Sequence, residues 1–143
     1  MKRFFTLALL VCTALLALSG CKDGGGEKID YNLVFVNDSD AKIVAVAAEF
    51  QDQNMGSQNA NSSPLKRGES FGFEAGEYPV TVYVYDKAVG GVVEEALARI
   101  TISEAPPEGE RWYVTARDGA GGLTLLTSTR LLDPDEARKW TAF

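Results

Sequence analysis

The sequence contains two cysteines, Cys12 and Cys21, and no histidine. A cysteine thiol can enter a disulfide, bind a metal or carry a lipid, and its sequence context decides among these roles. Cys12 lies within the uncharged apolar run of residues 4–18. Cys21 follows that run closely, in the stretch Leu18-Ser19-Gly20-Cys21. The first chemical question about this chain is therefore what Cys21 is for.

The residues before Cys21 have the parts of a secretory signal peptide, since Lys2 and Arg3 precede an apolar run that ends in small residues. The run is shorter than the roughly 20 residues that span a bilayer as a helix. Leu18-Ser19-Gly20-Cys21 resembles the lipobox of bacterial lipoproteins. The resemblance implies cleavage before Cys21, diacylglycerol on its thiol and, in many bacteria, a fatty acid such as palmitate on its amino group. The alternative is an ordinary secretory signal with an accidental cysteine beside it.

This resemblance implies a location and a division of the chain. Residues 1–20 would be the signal peptide, and the domain of residues 31–143 would lie on the exported side of a bacterial cell membrane or outer membrane. Two or more acyl chains hold a protein stably at a membrane, whereas one does so marginally. The polar, glycine-rich residues 22–30 would form a flexible tether with a span of roughly 15–18 Å. Lys22, in place of the Asp that favours inner-membrane retention in enterobacteria-like sorting, would permit export to the outer membrane.

The acidic charge and the absence of histidine reduce the classes of function that this chain can have. Without the two basic residues of the signal peptide, 12 of the 14 Lys and Arg remain against 20 Asp and Glu, a formal charge of −8. Nucleic acids require basic surfaces, so we expect no nucleic-acid partner. Without histidine the chain lacks the commonest general base and a common zinc ligand. We therefore expect neither an enzyme nor a cofactor. The weakest alternative is a histidine-free hydrolase pairing Ser62 or Ser63 with Lys66.

Alternation of apolar and polar residues predicts seven short strands. They cover residues 31–37, 42–50, 69–73, 74–86, 95–103, 111–117 and 123–129. In the first, Tyr31, Leu33 and Phe35 are expected on one face, and Pro79 is expected at a strand start or on an edge strand. The polar residues 51–64 are expected to form an exposed, mobile loop. Asp133-Pro134-Asp135-Glu136 is typical of a helix start.

These elements predict an all-β fold, a single antiparallel β-sandwich of about seven strands with a short C-terminal helix. The segment Gly76–Asp86, GEYPVTVYVYD, resembles a strand of immunoglobulin-like, PKD-like and transthyretin-like modules of bacterial surface proteins. The upstream segment LKRGESFGFEAGEY resembles the strands that precede it there, so the likeness covers roughly residues 65–86. It implies a fold class and carries over no functional residue.

Two groups of side chains are candidate binding residues. Tyr83, Tyr85 and Tyr113 would form an aromatic platform for sugar rings or a protein partner if adjacent strands exposed them on one face. Alternatively they fill the second side of the sandwich, while Trp112 belongs to the core. Asp38 and Asp40 have a spacing found in calcium loops. They equally suit an Asx-type turn between strands, and we expect no metal site.

The expected function is that of a non-catalytic binding or structural module, held at the cell envelope through Cys21. Its partner would be an envelope protein or a glycan. Carbohydrate binding through the tyrosine face is the principal alternative.

Overall fold

A computed structural model describes residues 31–88 and 95–132 of the chain. Eight strands and one short 3-10 helix (Ala60–Ser62) form the described part. The strands are β1 (Leu33–Asp38), β2 (Ala45–Phe50), β3 (Gln53–Gln58), β4 (Ser70–Phe73), β5 (Val80–Tyr85), β6 (Ala98–Ile102), β7 (Trp112–Gly119) and β8 (Gly122–Ser128). They form two four-stranded sheets, which confirms the all-β sandwich.

The first sheet has the strand order β4-β1-β7-β8, and the second has the order β3-β2-β5-β6. Neighbouring strands are antiparallel except β1 and β7, which run parallel with Leu33 beside Trp112 and Asp38 beside Arg117. The expectation of a purely antiparallel sandwich is wrong for this pair. Parallel neighbours need a long crossover, and here the chain between β1 and β7 includes all the strands of the second sheet.

The core lies between the sheets and is built from the alternate residues of each strand. Val80, Val82 and Val84 of β5 are fully buried, as the alternation predicted. The core between the sheets also contains the buried side chains of Leu33, Phe35, Ile43, Val46, Ala48, Phe73, Val114 and Ala116. Each large side chain buried in this way contributes about 1.5–3 kcal/mol relative to exposure. Trp112 packs against this core from its rim, which confirms its assignment there.

The polar stretch predicted to be a loop contains a strand. β3 pairs antiparallel with β2, with Gln53 opposite Phe50 and Gln58 opposite Ala45. The connecting residues Gln51 and Asp52 both have positive φ, 39° and 60°, as in a type I′ hairpin turn. β3 is an edge strand whose side chains are mostly exposed, so it shows no hydrophobic alternation.

The start of β1 also differs from expectation. The strand begins at Leu33, and the ring of Tyr31 instead lies against Gly72 on the outer side of the first sheet. The Asn32 side chain bonds the backbone of Ala75 twice, donating to its carbonyl at 2.7 Å and accepting from its amide at 2.8 Å. This pair of bonds holds the chain beside the end of β4, so Tyr31 does not continue the row of Leu33 and Phe35.

Several predictions from the sequence lie outside the described residues. These are the signal peptide of residues 1–20, Cys21 with the tether, and the helix start at Asp133. Pro79 directly precedes β5, which confirms its expected place at a strand start. In the described ranges, no helix has the length and apolar character that crossing a membrane requires.

Candidate functional site

Tyr83 and Tyr85 lie next to each other on the outer face of the second sheet. They alternate along β5 with the core valines, and their ring centroids are 6.4 Å apart with planes inclined by 21°. Across the strand pair they face Ala47 and Ala45 of β2, whose exposure is at most 2%. The two tyrosines and two alanines therefore form a small second apolar cluster on the outside of the sandwich.

Tyr113 is not part of this cluster. It lies on β7 in the first sheet, beside Val34 of β1 and Ser128 of β8. The structure thus brings together two of the three candidate tyrosines and places the third on the other sheet. Strand alternation could not predict this separation, because it does not show which strands share a sheet.

The two clustered tyrosines differ in accessibility. Tyr85 is 7% exposed, whereas Tyr83 is half-buried and presents part of its ring to solvent. Arg99 of β6 lies opposite Tyr83 and is exposed. A hydrogen bond to Glu49, burial and the Glu49 charge raise the pKa of the Tyr83 phenol, and Arg99 opposes them. The groups that a ligand could contact here are therefore the Tyr83 ring, the Glu49 carboxylate and the Arg99 guanidinium.

On the side of Tyr83 that faces the β3 edge, the residues in its row are small, so the outer surface there lies below the level of the Tyr83 ring. One row across the sheet reads Gly56, Ala47, Tyr83 and Arg99. A Cβ atom placed on Gly56 would have no atom of residues 31–88 or 95–132 within 4 Å beyond its chain neighbours, so no described residue covers this end of the row. The exposed amides of Asn54 and Gln58 flank Gly56 on the same face of β3. We call the surface formed by Glu49, Asn54, Gly56, Gln58, Tyr83 and Arg99 the tyrosine shelf.

A second group of polar side chains lies at one end of the first sheet. Asp38 accepts from Arg117 at 2.5 Å and is 3.2 Å from the guanidinium of Arg67. Arg67 also contacts the carboxylates of Asp40 at 3.2 Å and Asp118 at 3.4 Å. Both aspartates proposed as alternative calcium ligands thus contact guanidinium groups. Over residues 31–88 and 95–132, no group of three or more side chains is arranged to hold a metal ion.

The turn after β1 is an Asx turn, but Asn37 makes it. Its Oδ1 accepts from the backbone N–H of Ser39 at 3.0 Å and from the Ser39 hydroxyl at 2.7 Å. Its Nδ2 donates to the carbonyl of Leu65 at 2.9 Å, and Asn37 is 1% exposed. Sequence reasoning missed this residue. The available signal was a polar side chain in the inward row after Leu33 and Phe35.

The residues proposed for a histidine-free hydrolase, Ser62, Ser63 and Lys66, lie in a loop, where Ser63 and Lys66 make hydrogen bonds that involve the backbone. Ser62 ends the 3-10 helix, and the Ser63 hydroxyl donates to the carbonyl of Ala60 at 3.4 Å. Lys66 donates its backbone N–H to the carboxylate of Glu69 at 2.8 Å. These contacts shape an exposed loop and give no support to a nucleophile–base pair.

Comparison of the chain with profiles of known protein families, with curated proteins and with solved structures finds no match. The choice between an immunoglobulin-like and a transthyretin-like sandwich therefore stays a prediction.

Proposed function

We propose that this protein is a lipid-anchored bacterial lipoprotein that binds a partner without catalysis at the cell envelope. The anchor rests on Leu18-Ser19-Gly20-Cys21 at the end of a signal-like segment. β1 begins 12 positions after Cys21, so the intervening polar and glycine-rich residues can act as a tether.

The observation that carries the binding role is the tyrosine shelf. Tyr83 is half-buried, lies beside the small side chain of Ala47 and the ring of Tyr85, and stands between Glu49 and Arg99. Tyrosine is enriched among the residues that dominate binding energy, because its ring is rigid and combines apolar area with a hydroxyl. A partner with a flat, partly polar surface would fit this shelf.

The anchor is tested by the variant Cys21→Ser expressed in a lipoprotein-producing bacterium. We expect loss of labelling by a fatty-acid analogue and loss of cleavage before position 21. Retained cleavage without lipid in the unsubstituted protein would support the ordinary secretory signal instead.

The binding role is tested by crosslinking intact membranes and identifying the proteins attached to the full lipoprotein. We expect a recurrent partner whose yield falls severalfold in Tyr83→Ala. Tyr113→Ala is the matched control, because it removes a half-buried tyrosine from the other sheet. Repeated recovery of the monomer alone would count against the proposal.

A glycan is the second candidate partner. It is favoured by the exposed amides of Asn54 and Gln58 on β3, the edge strand beside Tyr83. Sugar rings stack on aromatic side chains and bond to amides and carboxylates, which the shelf offers together. A glycan array probed with the intact protein should show binding that Tyr83→Ala weakens and Tyr113→Ala leaves unchanged. An array without any bound glycan would remove this candidate.

A further inference from the structure

β3 is an edge strand without the features that usually protect a sheet edge. It ends the second sheet, and its sequence QNMGSQ contains no charged residue and no proline, although the chain has a formal net charge of −6. The other edge strand of this sheet, β6, carries Arg99 and lies against β8 of the first sheet. Proteins protect exposed edges with charges, prolines or covering segments, because an unpaired edge is a template for another strand. β3 is therefore an edge to which a further strand can add.

Alternate residues of β3 present their backbone groups to this open side. Phe50 and Gln53 flank the two-residue turn, and residues in that position exchange hydrogen bonds with each other. Bonded and non-bonded pairs alternate along an antiparallel ladder, so Met55 and Ser57 also bond to β2. The residues whose N–H and C=O groups point away from β2 are therefore Asn54, Gly56 and Gln58.

We propose that β3 pairs antiparallel with β3 of a second copy of this chain, about a two-fold axis that passes through Gly56. An axis perpendicular to the second sheet keeps the outer faces of both copies on one side. Gly56 then lies opposite Gly56 of the second copy, and Asn54 lies opposite Gln58 of the second copy. This register uses all the outward backbone groups of β3, whereas a register centred on Met55 places Gln58 opposite the turn residue Asp52.

The side chains that meet in this register are compatible with the pairing. The exposed amides of Asn54 and Gln58 can bond to each other across the strands, and no like charges lie opposite each other. At the axis, Gly56 has no side chain to hinder the approach of the second backbone. The neutral edge also lets two acidic chains meet where neither carries charge.

The pairing joins two tyrosine shelves into one trough. Tyr83, Ala47 and Gly56 lie in one row across the sheet, and with Gly56 at the axis the row continues into the second copy. The two Tyr83 rings are then five strand spacings apart, about 24 Å, above a floor of alanine and glycine. A ligand long enough to reach both rings binds two shelves at once, which raises its avidity. This role of the trough rests on the proposed function of the shelf, whereas the pairing of β3 does not.

The arrangement also suits two copies held on one membrane. β1, the first strand after Cys21, belongs to the first sheet, which lies behind the second sheet as seen from the trough. Both chains therefore enter their domains on the side opposite the trough. An edge of six residues forms a small interface, well below the roughly 1,200–2,000 Å² of a standard stable one. Anchoring both copies in one membrane raises their effective concentration and so favours the pairing.

The test uses the purified full lipoprotein in vesicles of phosphatidylethanolamine and phosphatidylglycerol. In a hydrogen-bonded antiparallel pair the Cα atoms are about 5.5 Å apart, within the range of a disulfide. We expect mild oxidation to convert most of the Gly56→Cys protein into a disulfide-linked dimer. Thr101→Cys, exposed on the outer face of β6, should link severalfold less. Peptide mapping identifies the joined cysteines, and the intact mass reports acylation of Cys21, so a failure of the anchor is seen separately from a failure of the pairing.

Two more variants test the register without changing Gly56. A mixture of Asn54→Cys and Gln58→Cys should form a disulfide between position 54 of one copy and position 58 of the other. Asn54→Cys alone should not link, because its two thiols lie four residues, about 13 Å, apart along the paired strands. Equal linking of Asn54→Cys alone and in the mixture would overturn the proposal. Linking of Gly56→Cys no greater than that of Thr101→Cys would overturn it as well.

Discussion

The guanidinium of Arg117 donates a hydrogen bond to the Asp38 carboxylate at 2.5 Å, across the parallel pair of β7 and β1. The Arg117 side chain is 7% exposed and that of Asp38 is 21% exposed. The two residues are 79 positions apart in the chain and meet because the register places them side by side. Because the pair is largely removed from water, losing one charge leaves the other poorly solvated.

We therefore expect Asp38→Asn to lower the free energy of unfolding by about 1.5–3 kcal/mol, the range for a hydrogen bond to a charged group. Asp40→Asn is the matched control, because the Asp40 side chain contacts the same Arg67 but is 81% exposed. An exposed ion pair contributes about 0–1 kcal/mol, so the control should change little. Urea denaturation measures both. Equal small losses would show that the Arg117–Asp38 pair does not stabilise the sheet.

Gly72 and Gly56 offer a second matched comparison. A Cβ atom on Gly72 would lie 2.4 Å from the ring of Tyr31, whereas one on Gly56 would meet nothing within 4 Å. Gly72→Ala should lower stability by about 1–3 kcal/mol through overpacking. Gly56→Ala should be neutral or stabilise slightly by restricting the unfolded chain. Thermal denaturation of both variants measures these changes in stability. An unchanged stability of Gly72→Ala would mean that the Tyr31 ring moves away at no energetic cost.

The turn between β2 and β3 uses residues that disfavour its backbone. Gln51 and Asp52 both have positive φ, a conformation that costs most L-residues about 1–2 kcal/mol and that Asn and Gly adopt more readily. We expect the double substitution Gln51→Asn and Asp52→Gly to raise the free energy of unfolding by up to about 1 kcal/mol. Glu108→Asn, which forms an Asn-Gly pair with Gly109 outside the hairpin, provides a control. Unchanged or lower stability of the turn variant would indicate that the hairpin does not adopt this turn in solution.

The ionisation of Tyr83 reports on the shelf. The hydrogen bond with Glu49, burial and the Glu49 charge raise the pKa of the Tyr83 phenol from its ordinary value near 10, so the folded state holds the proton more tightly. This contribution to stability is fully present below the ordinary pKa and is lost as the pH rises through the raised one. Burial, and then the Glu49 charge, raise the pKa of Tyr85 in the same direction.

Glu49→Gln should therefore lower the pH at which Tyr83 ionises. Tyrosinate absorbance measures the titration, and subtracting the curve of Tyr83→Phe isolates this residue. Glu108→Gln removes an exposed carboxylate elsewhere and should leave the curve unchanged. Superimposable curves for Glu49→Gln and the unsubstituted protein would show that Glu49 does not contact Tyr83 in solution.

Local sequence patterns predicted much of this fold. Alternation located β1, β2, β5 and β7, and it also located β8, which pairs with β7 as a hairpin around the glycine-rich residues 118–122. Such features depend on neighbouring residues alone, since side chains on successive positions of a strand face opposite sides. β3 escaped detection because an edge strand with exposed polar side chains has no apolar row to reveal it.

The sequence by itself determined which residues could enter a sandwich core, and its first 21 residues carry the whole case for a lipid anchor. Only the tertiary structure decided which strands share a sheet. That pairing separated Tyr113 from Tyr83 and Tyr85, and it brought Arg117 to Asp38. The physical reason is that burial patterns are local, whereas strand order depends on how the whole set of apolar faces closes over one core.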